Sequence, residues 1–237
     1  MAEEDANQAA ISEEDLLRKG MEFSARLKAS LPSRIDPATV STRAKIPFNA
    51  LCIREVLLYP VSELADAALT CFRQDQLVAA AILTRALLES VALLYWLYKE
   101  VKGAVASGAT GKIDEFLGRA VVGTRNKSTP LLAHNVMDAI DVVTQDMEHY
   151  RKLYEELCEI AHPNWAGGLG AYAKLNREMV WYELGTSRLP RLLILGPLVT
   201  SLEFFIEFYD RLPPHLKEFA KLCERELDKH EQAPDSN

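Results

Sequence analysis

The chain has 237 residues, 49% hydrophobic and 26% charged, with a formal net charge of −7. That is enough chain for one substantial core, and the acidic balance excludes a protein that grips nucleic acid over a broad basic surface. The four cysteines, Cys52, Cys71, Cys158 and Cys223, are far apart and form no CxxC pair, which argues against a disulfide framework or zinc knuckle and for the reduced thiols of a cytoplasmic protein.

In chain order, residues 1–11 are acidic and polar, lack signal-peptide character, and are expected to be disordered. Ser12-Glu13-Glu14-Asp15 resembles a capping box. The spacing of Leu16, Leu17, Met21, Leu27 and Leu31 after it predicts a helix over Ser12–Leu31, ended by Pro32. Residues 33–46 read as a connector, with one helical turn begun by Asp36-Pro37. Pro47 opens a long helix kinked at Pro60, and Asp75 is the expected N-cap of the next. These signals divide the chain into an N-terminal segment, helix and connector (1–46), a bundle domain (47–231) and a disordered tail (232–237).

The most apolar stretch is Leu77–Tyr98, LVAAAILTRALLESVALLYWLY. It is long enough to cross a bilayer, but Arg85 and Glu89 sit in its middle, where charges are costly. It is therefore expected to be the central core helix of a protein with no membrane segment, running to about Lys99. Gly103–Gly111 then reads as a mobile loop, followed by helices over Ile113–Thr124, Leu131–Thr144 (opened by Thr129-Pro130) and Asp146–Ala161. The last of these stops because His162 precedes Pro163. Beyond the Gly-rich run at 167–170, alternation of Tyr172, Lys174, Met179, Trp181 and Glu183 about a turn at Asn176-Arg177 predicts a short β-hairpin within 170–184. Arg191–Asp210 reads as a buried helix bent at Gly196-Pro197, and Pro213-Pro214 opens a final helix to His230. The fold class is thus all-α, an up-and-down helical bundle with an N-terminal helical extension and a small hairpin. No internal repeat and no GxGxxG, P-loop, HExxH or GxSxG motif occurs, and no cofactor is called for.

Two polar features ask for a purpose. Arg85 and Glu89, four residues apart, share one helix face among leucines. Burying such a pair costs several kcal/mol per ion, so it reads either as a hydrogen-bond anchor fixing helix register or as a functional site. The second feature is the His-Pro-Asn corner. Tyr154, Cys158 and His162 fall on one helix face, with His162 at the helix C-terminus, where the dipole favours an imidazolium. Here His162 either caps the helix while Asn164 satisfies turn backbone, or faces Arg85 and Glu89 as an acid or base. Glu159-Ile160-Ala161-His162 is also one Glu-x-x-His element of a di-iron bundle, with Glu89, Glu203 and Glu207 as further candidates. A second such element on another helix is missing, so no metal is assigned.

RALLE on one helix, followed by Y-x-x-L-C-E-x-x-H-P-N on a later one, resembles a group of bacterial all-helical proteins similar to abortive-infection and other HEPN-type domains. The resemblance covers Pro47–Tyr209. It implies a four-helix bundle and a dimeric, metal-independent endoribonuclease acting as a toxin or phage-defence effector. The HEPN hallmark, an Arg followed four to six residues later by His, has one formal match here, Arg225–His230, near the C-terminus, and none around His162. What the resemblance implies for this chain is Arg85 binding phosphate, Glu89 orienting, His162 as general acid or base, Tyr154 and Asn164 holding RNA. The competing reading is a non-catalytic helical interaction module, a homo-oligomer or the partner of another protein, with contact aromatics at Tyr95, Trp96, Tyr98 and in the hairpin at Trp181 and Tyr182.

Overall fold

A computed structural model describes residues 12–126 and 128–232; the expected disorder of 1–11 and of the 232–237 tail concerns residues outside that range, except Gln232, which is the last residue of the final helix. The fold is all-α, with eight helices among the described residues and one two-stranded hairpin. Helix α1 (Glu13–Ala29) starts as the sequence requires: Ser12 is its N-cap and accepts the Asp15 N–H at 3.0 Å. Asp36 caps the single 3₁₀ turn Pro37–Thr39 of the connector in the same way. Helices α2 (Lys45–Arg73) and α3 (Leu77–Ser107) follow, then the shorter α4 (Ile113–Val122), α5 (Val136–Thr144), α6 (Tyr150–Ala161) and α7 (Leu169–Tyr172). Strands β1 (Ala173–Asn176) and β2 (Trp181–Leu184) precede α8 (Leu192–Gln232).

Helix α3 is the hub. It packs against α2, α8, α5, α6 and α4. Ala80, Thr84 and Leu87 are fully buried along one face, Ala81 and Ala92 to one side of it and Leu94 and Leu97 to the other, so burial runs round more than half of its circumference, as a helix enclosed by others requires. Helix α1 packs on α8 and α2. The fit is close: a Cβ at Gly20 would lie 3.1 Å from Leu69 and 3.2 Å from Val199. Among the described residues two helices are long and apolar enough to cross a membrane by length and composition alone, α3 and Leu192–Lys229 of α8, and half of each apolar window is buried inside the bundle.

Several boundaries differ from the sequence expectations. Asp75 is not an N-cap. It sits in the left-handed region at φ 58° in the tight α2–α3 turn, and its carboxylate takes the Arg191 guanidinium. Helix α3 continues past Lys99 through Gly103, because Val101 and Ala104 still face the core; it ends at Gly108, left-handed at φ 68°. Thr129–Leu131 do not open a helix, since the Leu131 carbonyl is engaged by the Thr124 N–H at 3.0 Å. The real N-cap of α5 is Asn135, whose side chain accepts the Met137 N–H. Asp146 starts no helix either; it accepts the Tyr95 hydroxyl at 2.5 Å and Lys99 Nζ at 2.7 Å.

The largest difference is α8. Pro213 and Pro214 lie inside a single helix rather than at the start of a new one. A proline in a helix interior deprives the carbonyl four residues earlier of its donor. For Pro213 that carbonyl belongs to Tyr209, and Arg54 of α2 supplies the missing donors, with Nε at 3.1 Å and Nη2 at 2.9 Å from the oxygen. The tertiary contact replaces the intrahelical bond and the helix passes through.

Candidate functional site

Two tyrosines one turn apart on α6 dock that helix on α3. The buried Tyr150 hydroxyl donates to the Leu88 carbonyl at 2.7 Å. The Tyr154 hydroxyl donates to Glu89 Oε1 at 2.9 Å. Arg85 Nη2 then donates to both, at 3.1 Å to Glu89 and 3.2 Å to Tyr154, closing a triangle. Burial, together with donation to Glu89, pushes the Tyr154 phenol up to about 12, so it stays a neutral donor at physiological pH. Its hydrogen bond in turn raises the Arg85 guanidinium further above its ordinary value.

The triangle is not sealed in the core. The Arg85 and Glu89 side chains are 33% and 29% exposed. The expected buried pair is therefore a rim pair, where solvent screening leaves an ion pair worth about 0.2–1 kcal/mol. Its partner, Tyr154, is one of the residues expected to hold substrate, so that tyrosine is already committed to α3.

His162 does not join the triangle. It is the C-cap of α6, with its N–H on the Cys158 carbonyl at 3.0 Å. Its ring is exposed and has no hydrogen-bond partner among the described residues. Eight residues separate it from Tyr154, about 12 Å along the helix axis. Asn164 forms the turn: its Oδ1 accepts the Ala166 and Gly167 N–H groups at 2.9 and 3.2 Å, and its Nδ2 donates to Glu159 at 2.7 Å. Gly167 is required by this corner, because a Cβ there would lie 2.3 Å from the Ile160 carbonyl oxygen and 2.4 Å from that of His162. The turn reading thus accounts for Asn164, while His162 ends the helix through its backbone N–H alone. The di-iron candidates are equally engaged elsewhere: Glu203 pairs with Lys19 and Glu207 with Arg211. Among the described residues no three His, Cys, Asp or Glu side chains form a metal-holding group.

Sequence reasoning missed two features. The more deeply buried ion pair is Arg54–Glu55, each side chain 11% exposed. Glu55 Oε2 accepts the Tyr209 hydroxyl at 2.7 Å, and the Arg54 guanidinium carbon stands 3.5 Å from the Tyr209 ring centroid. The only signal for it was Pro213 inside an amphipathic pattern. The second is His134, whose Nε2 meets the Phe116 carbonyl at 2.9 Å within a cluster with Trp96 and Phe116. Its Nδ1 is buried without a partner.

The surface carries a different feature. Trp165, Trp181, Tyr182 and Tyr172 are 75%, 51%, 53% and 39% exposed, and Leu169, Leu175, Met179, Val180 and Leu184 are exposed beside them. Trp165 lies against Gly170 of α7, where a Cβ would come within 3.0 Å of its ring. The corner therefore sits against α7, which leads directly into the hairpin, and each of the three carries exposed apolar side chains. Of the expected contact aromatics, Tyr95, Trp96 and Tyr98 instead pack inside the bundle, while Trp181 and Tyr182 are on the surface. Comparison with family models, curated proteins and solved structures returned no match.

Proposed function

We propose that this chain is a non-catalytic, cytoplasmic helical interaction module whose contact surface is the apolar stretch from Trp165 through the hairpin. The observation that carries the reading is the concentration of exposed large apolar side chains there. Soluble proteins rarely leave contiguous apolar patches larger than a few hundred Å² uncovered except where something binds, and Trp and Tyr are the side chains that dominate binding energy. The two residues expected to hold substrate support the same reading, since Tyr154 docks α6 and Asn164 shapes a turn.

The test is a photo-reactive amino acid at Leu184, compared with one at Leu227 on the distant end of α8, in cells expressing the full chain. Discrete adducts from Leu184 and none from Leu227 are expected. Equal or absent adducts from both positions sink the proposal.

A second reading, an RNA-binding or RNA-cleaving HEPN-like effector, is favoured by one observation: Arg85 is one-third exposed and its Nη1 has no partner among the described residues, leaving a donor for phosphate. In that reading Arg85→Ala and His162→Ala abolish cleavage of labelled RNA. Intact RNA with the wild-type chain ends it.

A further inference from the structure

We infer that the partner on this surface is a second copy of the chain, joined through the apolar face of the hairpin; the inference rests on the interaction reading. The register pairs Ala173 with Leu184, Lys174 with Glu183, Leu175 with Tyr182 and Asn176 with Trp181. Directly opposed residues share a face and successive residues alternate. One face therefore holds Lys174, Asn176, Trp181 and Glu183, and the other Ala173, Leu175, Tyr182 and Leu184. Every charge of the two strands lies on the first face, where Lys174 opposes Glu183 within the hairpin and Asn176 Nδ2 donates to Glu183 at 3.3 Å. The second face carries no charge.

That distribution suits an isologous contact, in which the same patch meets itself. Two chains each of net charge −7 can approach through an uncharged face without setting like charges opposite one another. The available area also matches. At roughly 200 Å² for a whole aromatic side chain, the exposures of Trp165, Tyr172 and Tyr182 amount to about 330 Å², with Trp181, on the other face, left out. The exposed aliphatic residues beside them add about 300 Å², at roughly 100 Å² for each whole side chain. The total, about 600 Å² from each partner, reaches the lower end of the ~1,200–2,000 Å² that two partners together bury in a stable interface. The hairpin also needs such a cover. It has four pairs, it touches its own chain mainly through α7, and an isolated two-stranded hairpin is marginal in water. Packed face to face, two hairpins form the two layers that a β-sheet needs to bury an apolar face.

The purified full chain is expected to sediment at twice the chain mass at micromolar concentration. Leu184→Glu and Tyr182→Glu, on the uncharged face, are expected to weaken association at least ~30-fold, as for an interface anchor, with helical circular dichroism unchanged. Trp181→Ser, on the other face, is expected to change it less than about 3-fold. A dimer indifferent to both glutamate variants overturns the inference. So does a monomer that sediments with vesicles of phosphatidylcholine and phosphatidylserine. A monomer whose Leu184 adducts in cells are to a different protein overturns self-association and leaves the interaction reading standing; a monomer with no Leu184 adducts overturns both.

Discussion

Replacing Arg54 by Met tests whether a tertiary contact holds α8 together across its prolines. The substitution keeps the side-chain bulk over the Tyr209 ring and removes both donors to the Tyr209 carbonyl. It also leaves the Glu55 carboxylate, 11% exposed, with the Tyr209 hydroxyl as its remaining partner in the cluster. An orphaned buried carbonyl costs about 1–3 kcal/mol, and stripping one partner from a buried ion pair costs about 3–5 kcal/mol. The two overlap, so the expected loss is about 3–4 kcal/mol, read by urea unfolding at unchanged m value. Restoring the backbone donor with Pro213→Ala gives the Tyr209 carbonyl an intrahelical partner again. In that background Arg54→Met should cost about 1–2 kcal/mol less. Strict additivity of the two substitutions would refute the idea that Arg54 serves the carbonyl Pro213 leaves bare.

Other outcomes follow from the same geometry. Gly167→Ala should cost more than 2 kcal/mol because its Cβ meets two carbonyl oxygens. Gly103→Ala, in α3 with nothing within 4 Å, should instead stabilise by about 0.5–1 kcal/mol. Tyr150→Phe removes the buried bond to Leu88 and should cost about 1 kcal/mol, and Tyr154→Phe, which removes the donor to the Glu89 carboxylate, at least as much. Burial holds His134 below its usual value of 6.5, opposed by the Phe116 carbonyl and helped by Arg119. The unfolded chain therefore binds this proton more readily. Stability should fall as pH drops through about 6.5, by at most ~1.4 kcal/mol per pH unit from this group, and His134→Phe should flatten that limb of a thermal-stability profile.

How much was legible in the sequence differs by element. The caps at Ser12 and Asp36, the apolar α3 and the alternation around Trp181 are local signals, and each has its counterpart in the fold. The run through Pro213-Pro214 was not legible, because the donor that rescues the helix comes from Arg54, more than a hundred residues away in the chain. Asp75 and Asp146 carry the right chemistry for helix starts, but Arg191, Tyr95 and Lys99 claim their carboxylates instead. For the site, helical spacing placed Arg85 with Glu89 and left open whether His162 faced them. It could not show that α6 turns Tyr154, and not His162, toward α3. The hairpin was half legible: alternation located two strands about a turn, but only their register divides them into a charged and an uncharged face, and only the fold shows the uncharged one exposed among the described residues.

The central claim, that a protein partner covers the surface from Trp165 through the hairpin, is tested most directly by hydroxyl-radical footprinting of Trp165, Met179 and Tyr182 in expressing cells and in the dilute purified chain. Strong protection of all three in cells, lost on dilution, is the result predicted here. Equal oxidation in both settings contradicts it.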